Sequence, residues 1–219
     1  MTWQIYIHII LRQFKLTFMI RAHFENQIFQ WLDNENSRLH LAEAGNLVNI
    51  AFHHMVRWYP QISNDGRDTY ALDVMRKLEN WEISRRAIDS FMTNIQFREN
   101  ITKSELSKIF TQSTHPEHNI SVNQMKSILL GLNNPTLQDV RNCLNDNYKV
   151  VLISIEEKNV LNGNKRRMYK IDDQMVEGAG MRVNGEANER LTAIRAIIDN
   201  NDRQNLIDYL MNNFGQLFN

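Results

Sequence analysis

The stretch from Ile101 to Asp172 changes its periodicity partway along, and this change constrains the fold more than any other feature of the chain. In its first part, apolar residues recur at helical spacing in three short segments. Val150 to Ile155 is then a β-branched, apolar run of strand length, and Met168 to Ile171 can return as a second strand. Asn162-Gly163 lies between these runs and is a strong signal for a tight turn. The sequence therefore predicts three helices followed by a two-stranded hairpin.

The three predicted helices have recognisable starts. Thr102 is followed three residues later by Glu105, which is the spacing of a capping box. Ser121 and Thr136 are suited to cap the second and third helices. Residues 111–119, which contain Pro116, are polar and are predicted to be the loop between the first two helices.

This order of elements resembles the winged helix, a small module that binds nucleic acid or a partner protein. The resemblance covers about a third of the chain and depends on pattern, without a diagnostic motif. It implies that the third helix lies in the DNA major groove, where amide and guanidinium groups read base edges. It also implies that cations at the hairpin tip contact phosphates. The predicted nucleic-acid-binding residues are Gln138, Arg141, Asn142 and Asn145 on the helix, and Lys158, Lys165, Arg166 and Arg167 at the tip.

The charge distribution gives this interpretation modest support. The chain has 25 basic and 25 acidic side chains, so its formal net charge is zero. Residues 101–172 carry 10 basic and 7 acidic side chains, a net charge of +3, whereas residues 173–219 carry 4 and 7, a net charge of −3. A dedicated DNA-binding domain is often more basic, and winged helices also dock proteins. We therefore expect a regulator or a subunit of a DNA-handling complex, with docking of a larger protein as the alternative.

The flanking regions complete a fold that is predicted to be mainly α with a small β-hairpin. Residues 1–100 are expected to form a helical N-terminal region, ended by a boundary near Asn100. Residues 173–219 read as a glycine-containing loop followed by a helical hairpin with a strongly apolar end. Two interpretations of that end remain open. It packs against the N-terminal helices, or it makes a homodimer or partner contact.

The apolar run from Trp3 to Ile20 is not predicted to cross a membrane, because His8, Arg12 and Lys15 interrupt it. It also lacks the charge order and cleavage site of a signal peptide. It is either a buried strand or helix, or an extension upstream of Met19 that is not native. The single cysteine excludes an intrachain disulfide and fits a reducing compartment, so a cytoplasmic protein is expected.

The sequence patterns that indicate catalysis are weaker than those that indicate binding. Glu156-Glu157-Lys158 follows an apolar strand, as the acid and lysine of a metal-dependent nuclease do, and this is a third interpretation of function. His115 and His118 have metal-compatible spacing, but they occur in a polar loop without recognisable ligand pairs. No nucleophile, phosphate-loop or dinucleotide motif occurs in the sequence. We therefore expect a non-enzymatic protein without a metal or cofactor.

Overall fold

The fold is mainly helical, with a small three-stranded sheet, in a computed structural model of the chain. The structure describes residues 21–41, 43, 45–63, 66–162, 168–171, 174–177 and 200–218. The predictions for residues 1–18, for Lys165, Arg166 and Arg167, and for the loop and helix at 178–199 lie outside this part of the chain. None of the described helices is long and apolar enough to span a membrane.

The elements are numbered in chain order. The helices are α1 (Arg21–Asp33), α2 (Glu35–Leu41), α3 (Leu47–Trp58), α4 (Val74–Asn80), α5 (Arg85–Ile95), α6 (Lys103–Ser113), α7 (Val122–Leu130), α8 (Leu137–Asn147), α9 (Ile155–Asn162) and α10 (Asn200–Phe214). The strands are β1 (Glu82–Ile83), β2 (Thr114–His118), β3 (Val150–Ser154), β4 (Met168–Ile171) and β5 (Gln174–Glu177). Three short 3-10 helices cover Tyr59–Gln61, Thr69–Ala71 and Gly215–Leu217.

The described residues form two compact units. Unit 1 takes its residues from 1–72 and 122–147, and unit 2 from 73–121 and 148–219. The predicted winged-helix module, residues 101–172, therefore contributes α7 and α8 to unit 1 and α6, β2 and β3 to unit 2. The proposed boundaries at residues 100 and 172 do not coincide with the limits of either unit.

Unit 1 is a helical assembly. Helix α1 packs against α3 and α8, and α7 packs against α3 and α8. Helix α8 begins with a reciprocal cap, in which the Asp139 N–H donates to Thr136 Oγ1 at 3.2 Å and the Thr136 N–H donates to Asp139 Oδ2 at 2.8 Å. Thr136 is thus a cap, as the sequence predicts. The buried apolar side chains of these helices include Phe24, Ile28, Leu32, Phe52, Val56, Met125, Leu129, Val140 and Leu144.

Unit 2 is built around β3, the central strand of a sheet with the order β1-β3-β2. All five residues of β3 are buried, because the strand has neighbours on both sides and helices around it. Strand β1 pairs with it in parallel and β2 pairs with it antiparallel. The predicted capping box at the start of α6, Thr102 with Glu105, is confirmed. The core includes Leu78, Ile83, Phe91, Ile95, Leu106, Phe110, Leu152, Leu206 and Leu210.

The predicted hairpin between residues 150–155 and 168–171 is wrong. Leu152 has Ile83 on one side and Pro116 on the other, so β4 is not its partner; β4 pairs with β5 instead. Asn162 ends helix α9 instead of opening a turn. The physical reason is a second capping box, in which the Glu157 N–H donates to Ser154 Oγ at 3.1 Å and starts a helix directly after the strand.

The predicted polar loop at 111–119 is also wrong, because α6 continues to Ser113 and β2 follows at once. Proline is tolerated in β2 because this strand lies at an edge of the sheet. The Asn119 N–H donates to the Lys149 carbonyl. Because backbone groups alternate along a strand, the N–H and C=O groups of residues 114, 116 and 118 point away from β3. The N–H of Thr114 donates to Phe110 O and that of His118 to Glu117 Oε1, while Pro116 has none. The outer edge of β2 therefore has no N–H group available for another strand.

Candidate nucleic-acid interface

Five of the eight predicted nucleic-acid-binding residues lie in the described part of the chain. Four of them are on α8, and the fifth, Lys158, is on α9. Helix α8 belongs to unit 1 and α9 to unit 2, so the two groups are described separately.

Arg141 on α8 is bound to a buried carboxylate of its own unit. Its Nε donates to Oε2 of Glu25, on α1, at 2.7 Å. The Glu25 side chain is 9% exposed and that of Arg141 is 36% exposed. The pair satisfies a carboxylate that would otherwise be buried without a counter-ion. The guanidinium charge is thus largely neutralised before any ligand arrives.

Asn145 belongs to the same hydrogen-bond network. The Tyr59 hydroxyl lies 2.8 Å from Glu25 Oε1 and 2.8 Å from the side-chain amide of Asn145. The single proton of the Tyr59 hydroxyl is within donating distance of Glu25 Oε1 and of Asn145 Oδ1, and the carboxylate is the stronger acceptor of the two. Burial, together with the hydrogen bond to Glu25, raises the pKa of Tyr59. Glu25, Tyr59, Arg141 and Asn145 are called the Glu25 network below.

Asn145 is exposed although it belongs to the Glu25 network, and Gln138 and Asn142 are the two exposed base-reading residues outside that network. They are one helical turn apart, and Gln138 Nε2 donates to Asn142 Oδ1 at 2.8 Å. Their amides share the exposed surface of α8 with the carboxylates of Asp139 and Asp146. Hydrogen bonds from the side chain and backbone of Thr136 lower the pKa of Asp139, which therefore stays ionised at neutral pH. This surface is polar and acidic.

Lys158 is not at the tip of a hairpin, because it lies within α9 and is partly buried. Its neighbour Glu156 is exposed and lies 3.7 Å from the guanidinium group of Arg86. The described residues therefore do not place Lys158 in a cationic wing.

Glu157, the middle residue of the Glu156-Glu157-Lys158 pattern, joins the starts of two helices. Its side chain is buried, with Oε2 accepting from Ser84 Oγ at 2.6 Å and from the Ser154 N–H at 2.7 Å. Ser84 is itself the N-cap of α5, and Ser154 begins α9. The positive ends of two helix dipoles therefore face one carboxylate. This geometry gives Glu157 a role in capping both helices.

The two candidate metal-binding histidines lie on strand β2. The ring of His118 stacks on Tyr148 at a centroid distance of 5.2 Å, and His115 Nε2 lies 4.0 Å from Glu117 Oε2. Cys143 is buried on α8, where burial and the nearby Asp146 raise the pKa of its thiol. Within the described ranges, no group of three or more His, Cys, Asp or Glu side chains is arranged to hold a metal ion.

Sequence reasoning missed a basic cluster between α3 and α7. Lys126 is 9% exposed, and its Nζ lies 3.0 Å from Asn49 Oδ1 and 5.9 Å from the centre of the Phe52 ring. His53 is half-buried beside it and is hydrogen-bonded to Asn123. Lys126, Asn49, His53 and Asn123 are called the Lys126 cluster below. The available signal was Lys126 itself, which directly follows the buried Met125 on an amphipathic helix.

No known protein family, no curated protein and no solved structure is significantly similar to this chain.

Proposed function

We propose that this chain is a non-enzymatic binding protein that docks a protein partner through unit 1, on a surface formed by the helix-turn-helix of α7 and α8 together with the adjacent α2 and α3. The observation that carries the proposal is the 2.7 Å bond from Arg141 to Glu25, which occupies the one cation of α8 inside the unit. Docking was the alternative interpretation of the sequence, and the geometry of α8 favours it over DNA binding.

Charge is the physical reason. DNA binding draws its affinity from basic side chains that neutralise phosphates. The exposed surface of α8 offers three amides, those of Gln138, Asn142 and Asn145, and the carboxylates of Asp139 and Asp146 instead. Over residues 21–72 and 122–147 the sequence has 6 basic and 8 acidic side chains, a net charge of −2. A phosphate backbone placed on α8 would therefore meet repulsion from Asp139 and Asp146.

Exposed aliphatic side chains in unit 1 support a protein partner. Leu39 is 64% exposed on α2, Leu47 is 52% exposed on α3 and Ile128 is 37% exposed on α7. Hydrogen bonds join these three elements. Arg38 donates to the carbonyl groups of Leu130 and Leu132, both at 2.6 Å, and the Asn49 side chain donates to the Leu41 carbonyl. Aliphatic side chains bordered by amides are typical of protein interfaces, where charged residues are depleted from the centre.

Nucleic-acid binding through a winged helix is the second candidate. It is favoured by the order of the three helices α6, α7 and α8 before strand β3, as the sequence predicts, and by the exposed amides of Gln138 and Asn142. In this candidate, the cations that neutralise phosphates are Lys165, Arg166 and Arg167.

A paired experiment separates the two candidates. For docking, wild-type protein, Leu47→Glu and the matched control Phe97→Glu are used as baits. Phe97 is 87% exposed but belongs to unit 2. We expect one partner to be retained by wild type and by Phe97→Glu and to be lost with Leu47→Glu, because a carboxylate cannot be buried in an apolar contact.

The DNA arm is a mobility-shift titration at low and physiological salt with wild type and the double variant Arg166→Glu/Arg167→Glu. The docking proposal expects no shift at physiological salt. A shift at physiological salt that the double variant abolishes would overturn it in favour of the second candidate.

A further inference from the structure

We propose that the Lys126 cluster is an oxyanion-binding site on unit 1, one that takes a phosphate or carboxylate group. It does not depend on the partner proposed above, since its evidence is the environment of one buried ammonium group. The site lies between α3 and α7, with Lys126 and Asn123 on α7 and Asn49 and His53 on α3.

The first step is the burial of Lys126 without a counter-ion. Lysine is almost never this buried unless it is paired, because removing its charge from water costs several kcal/mol. Its acceptor in the described structure is the neutral amide oxygen of Asn49, and no carboxylate of the described residues forms an ion pair with it. The face of Phe52 adds a cation–π contact, which is also neutral.

The Lys126 ammonium group has more N–H donors than its contacts in the described structure use. An ammonium group has three N–H bonds, and Asn49 accepts one of them. Two donors of a desolvated cation therefore remain for a ligand. Burial lowers the pKa of Lys126, as expected for an ammonium group that is partly removed from water.

The side chains beside Lys126 include basic groups and amides. Burial is the largest cause that lowers the pKa of His53, followed by the positive charge of Lys126 and then by His54 and Arg57 on the same helix. An oxyanion beside Lys126 would reverse this repulsion and add a second charged donor, the imidazolium group. Asn123 is exposed and His53 is half-buried, so the cluster reaches the surface. Two adjacent basic groups with amide neighbours match the charge and the acceptor geometry of an oxyanion.

The test is a titration of the whole chain with inorganic phosphate, followed by backbone amide NMR, with sodium chloride adjusted to constant ionic strength. We expect saturable shifts at Asn49, His53 and Asn123. Lys126→Met should weaken binding roughly ten- to hundredfold, which is the usual value of a hydrogen bond to a charged group. Lys108→Met, at an exposed lysine of unit 2, is the control and should leave binding unchanged.

A parallel titration with acetate distinguishes the ligand source, because tighter binding of acetate assigns the site to carboxylates and tighter binding of phosphate assigns it to phosphate groups. The proposal is overturned if neither anion gives a saturable shift, or if Lys126→Met binds as wild type does.

The melting temperature of Lys126→Met is a second test, which does not depend on anion binding. Without ligand, this variant should be at least as stable as wild type, since it removes a buried unpaired charge. A lower melting temperature for Lys126→Met, with Lys126→Arg unchanged and no anion bound, would mean that the charge is already balanced within the protein, and it would sink the proposal.

Discussion

The two units each bury a glutamate, and they satisfy it in different ways. In unit 2, Glu157 is held by Ser154, three residues away, and by Ser84, the N-cap of α5, which is 73 residues away. In unit 1, Glu25 is held by Tyr59 and Arg141, and Arg141 is 116 residues away. The carboxylate of unit 2 organises the starts of helices, whereas that of unit 1 ties distant helices together through side chains.

The two glutamates show that hydrogen bonds inside the fold decide which polar side chains remain available to a ligand. The Glu25 network uses residues that would otherwise be suited to read DNA, so its existence changes what α8 can offer to a ligand. The junction at Glu157 uses residues that resemble a nuclease motif, and it places them in caps. In both units, charged groups that a linear motif would assign to a ligand are engaged inside the fold.

The largest effect is expected in unit 2, from Glu157→Ala. This change leaves the Ser84 hydroxyl and the Ser154 N–H buried without their acceptor and removes the cap of α9. We expect the free energy of unfolding to fall by about 3 kcal/mol, the sum of a lost cap and of unsatisfied buried donors. Urea denaturation followed by circular dichroism measures it.

Glu156→Ala is the matched control, because Glu156 is adjacent in sequence but exposed. Its loss should change stability by no more than about 0.5 kcal/mol, as at other exposed positions. Equal losses for the two variants would contradict the assignment of Glu157 to a buried junction.

Local signals of this kind could be predicted from the sequence. The caps Thr102 and Thr136 were identified from spacing alone. The box formed by Ser154 and Glu157 has the same spacing, but the hairpin prediction depended on the Asn162-Gly163 turn signal and did not include this box, and it failed there. A capping box directly after an apolar strand is thus stronger evidence for a helix than a later turn dipeptide is for a hairpin.

Long-range contacts could not be predicted in the same way. Nothing local to Arg141 indicates that Glu25 will accept its hydrogen bond, because the pair is created by the packing of α1 against α8. Lys126 shows the same limit, since its burial depends on the contact between α3 and α7. The helical class could be read from periodicity, whereas the availability of site residues depended on tertiary contacts.

A smaller effect is expected in unit 1, from Arg141→Met. It leaves the Glu25 carboxylate without its cation, but Arg141 is 36% exposed and water can reach the site, so we expect a loss of about 2 kcal/mol, below the range for a fully buried pair. Adding Glu25→Met should restore most of the stability, because the unpaired charge is removed. Thermal and urea unfolding of both variants test this.

The exposed pair of Arg76 and Glu79 provides the control. Its atoms lie 3.2 Å apart and both side chains are at least half exposed, so Arg76→Met should change stability by no more than about 0.5 kcal/mol. If Arg141→Met unfolds like wild type while DNA affinity drops, Arg141 is a DNA contact, and the contrast between the two units fails.

The smallest expected effect is the change in folding stability with pH at His53. Its direction sharpens the contrast between the two units. Burial and the neighbouring positive charges of Lys126, His54 and Arg57 hold the pKa of His53 below its usual value of 6.5. The unfolded chain therefore takes up a proton at this position at a higher pH than the folded protein does. Stability should fall as the pH drops below about 6.5 and continue to fall until the pH passes the folded pKa. This decline should be largely absent from His53→Gln.

The measurement is the difference in unfolding free energy between wild type and His53→Gln from pH 8 to pH 5.5, in a buffer free of phosphate. The acidic groups of unit 2 whose pKa is lowered, Asp73 and Glu105, titrate below this window and do not contribute to the difference. A difference that is constant with pH would mean that His53 is well solvated. Unit 1 would then lack an unbalanced positive environment between α3 and α7, and the two units would differ only in how they hold their carboxylates.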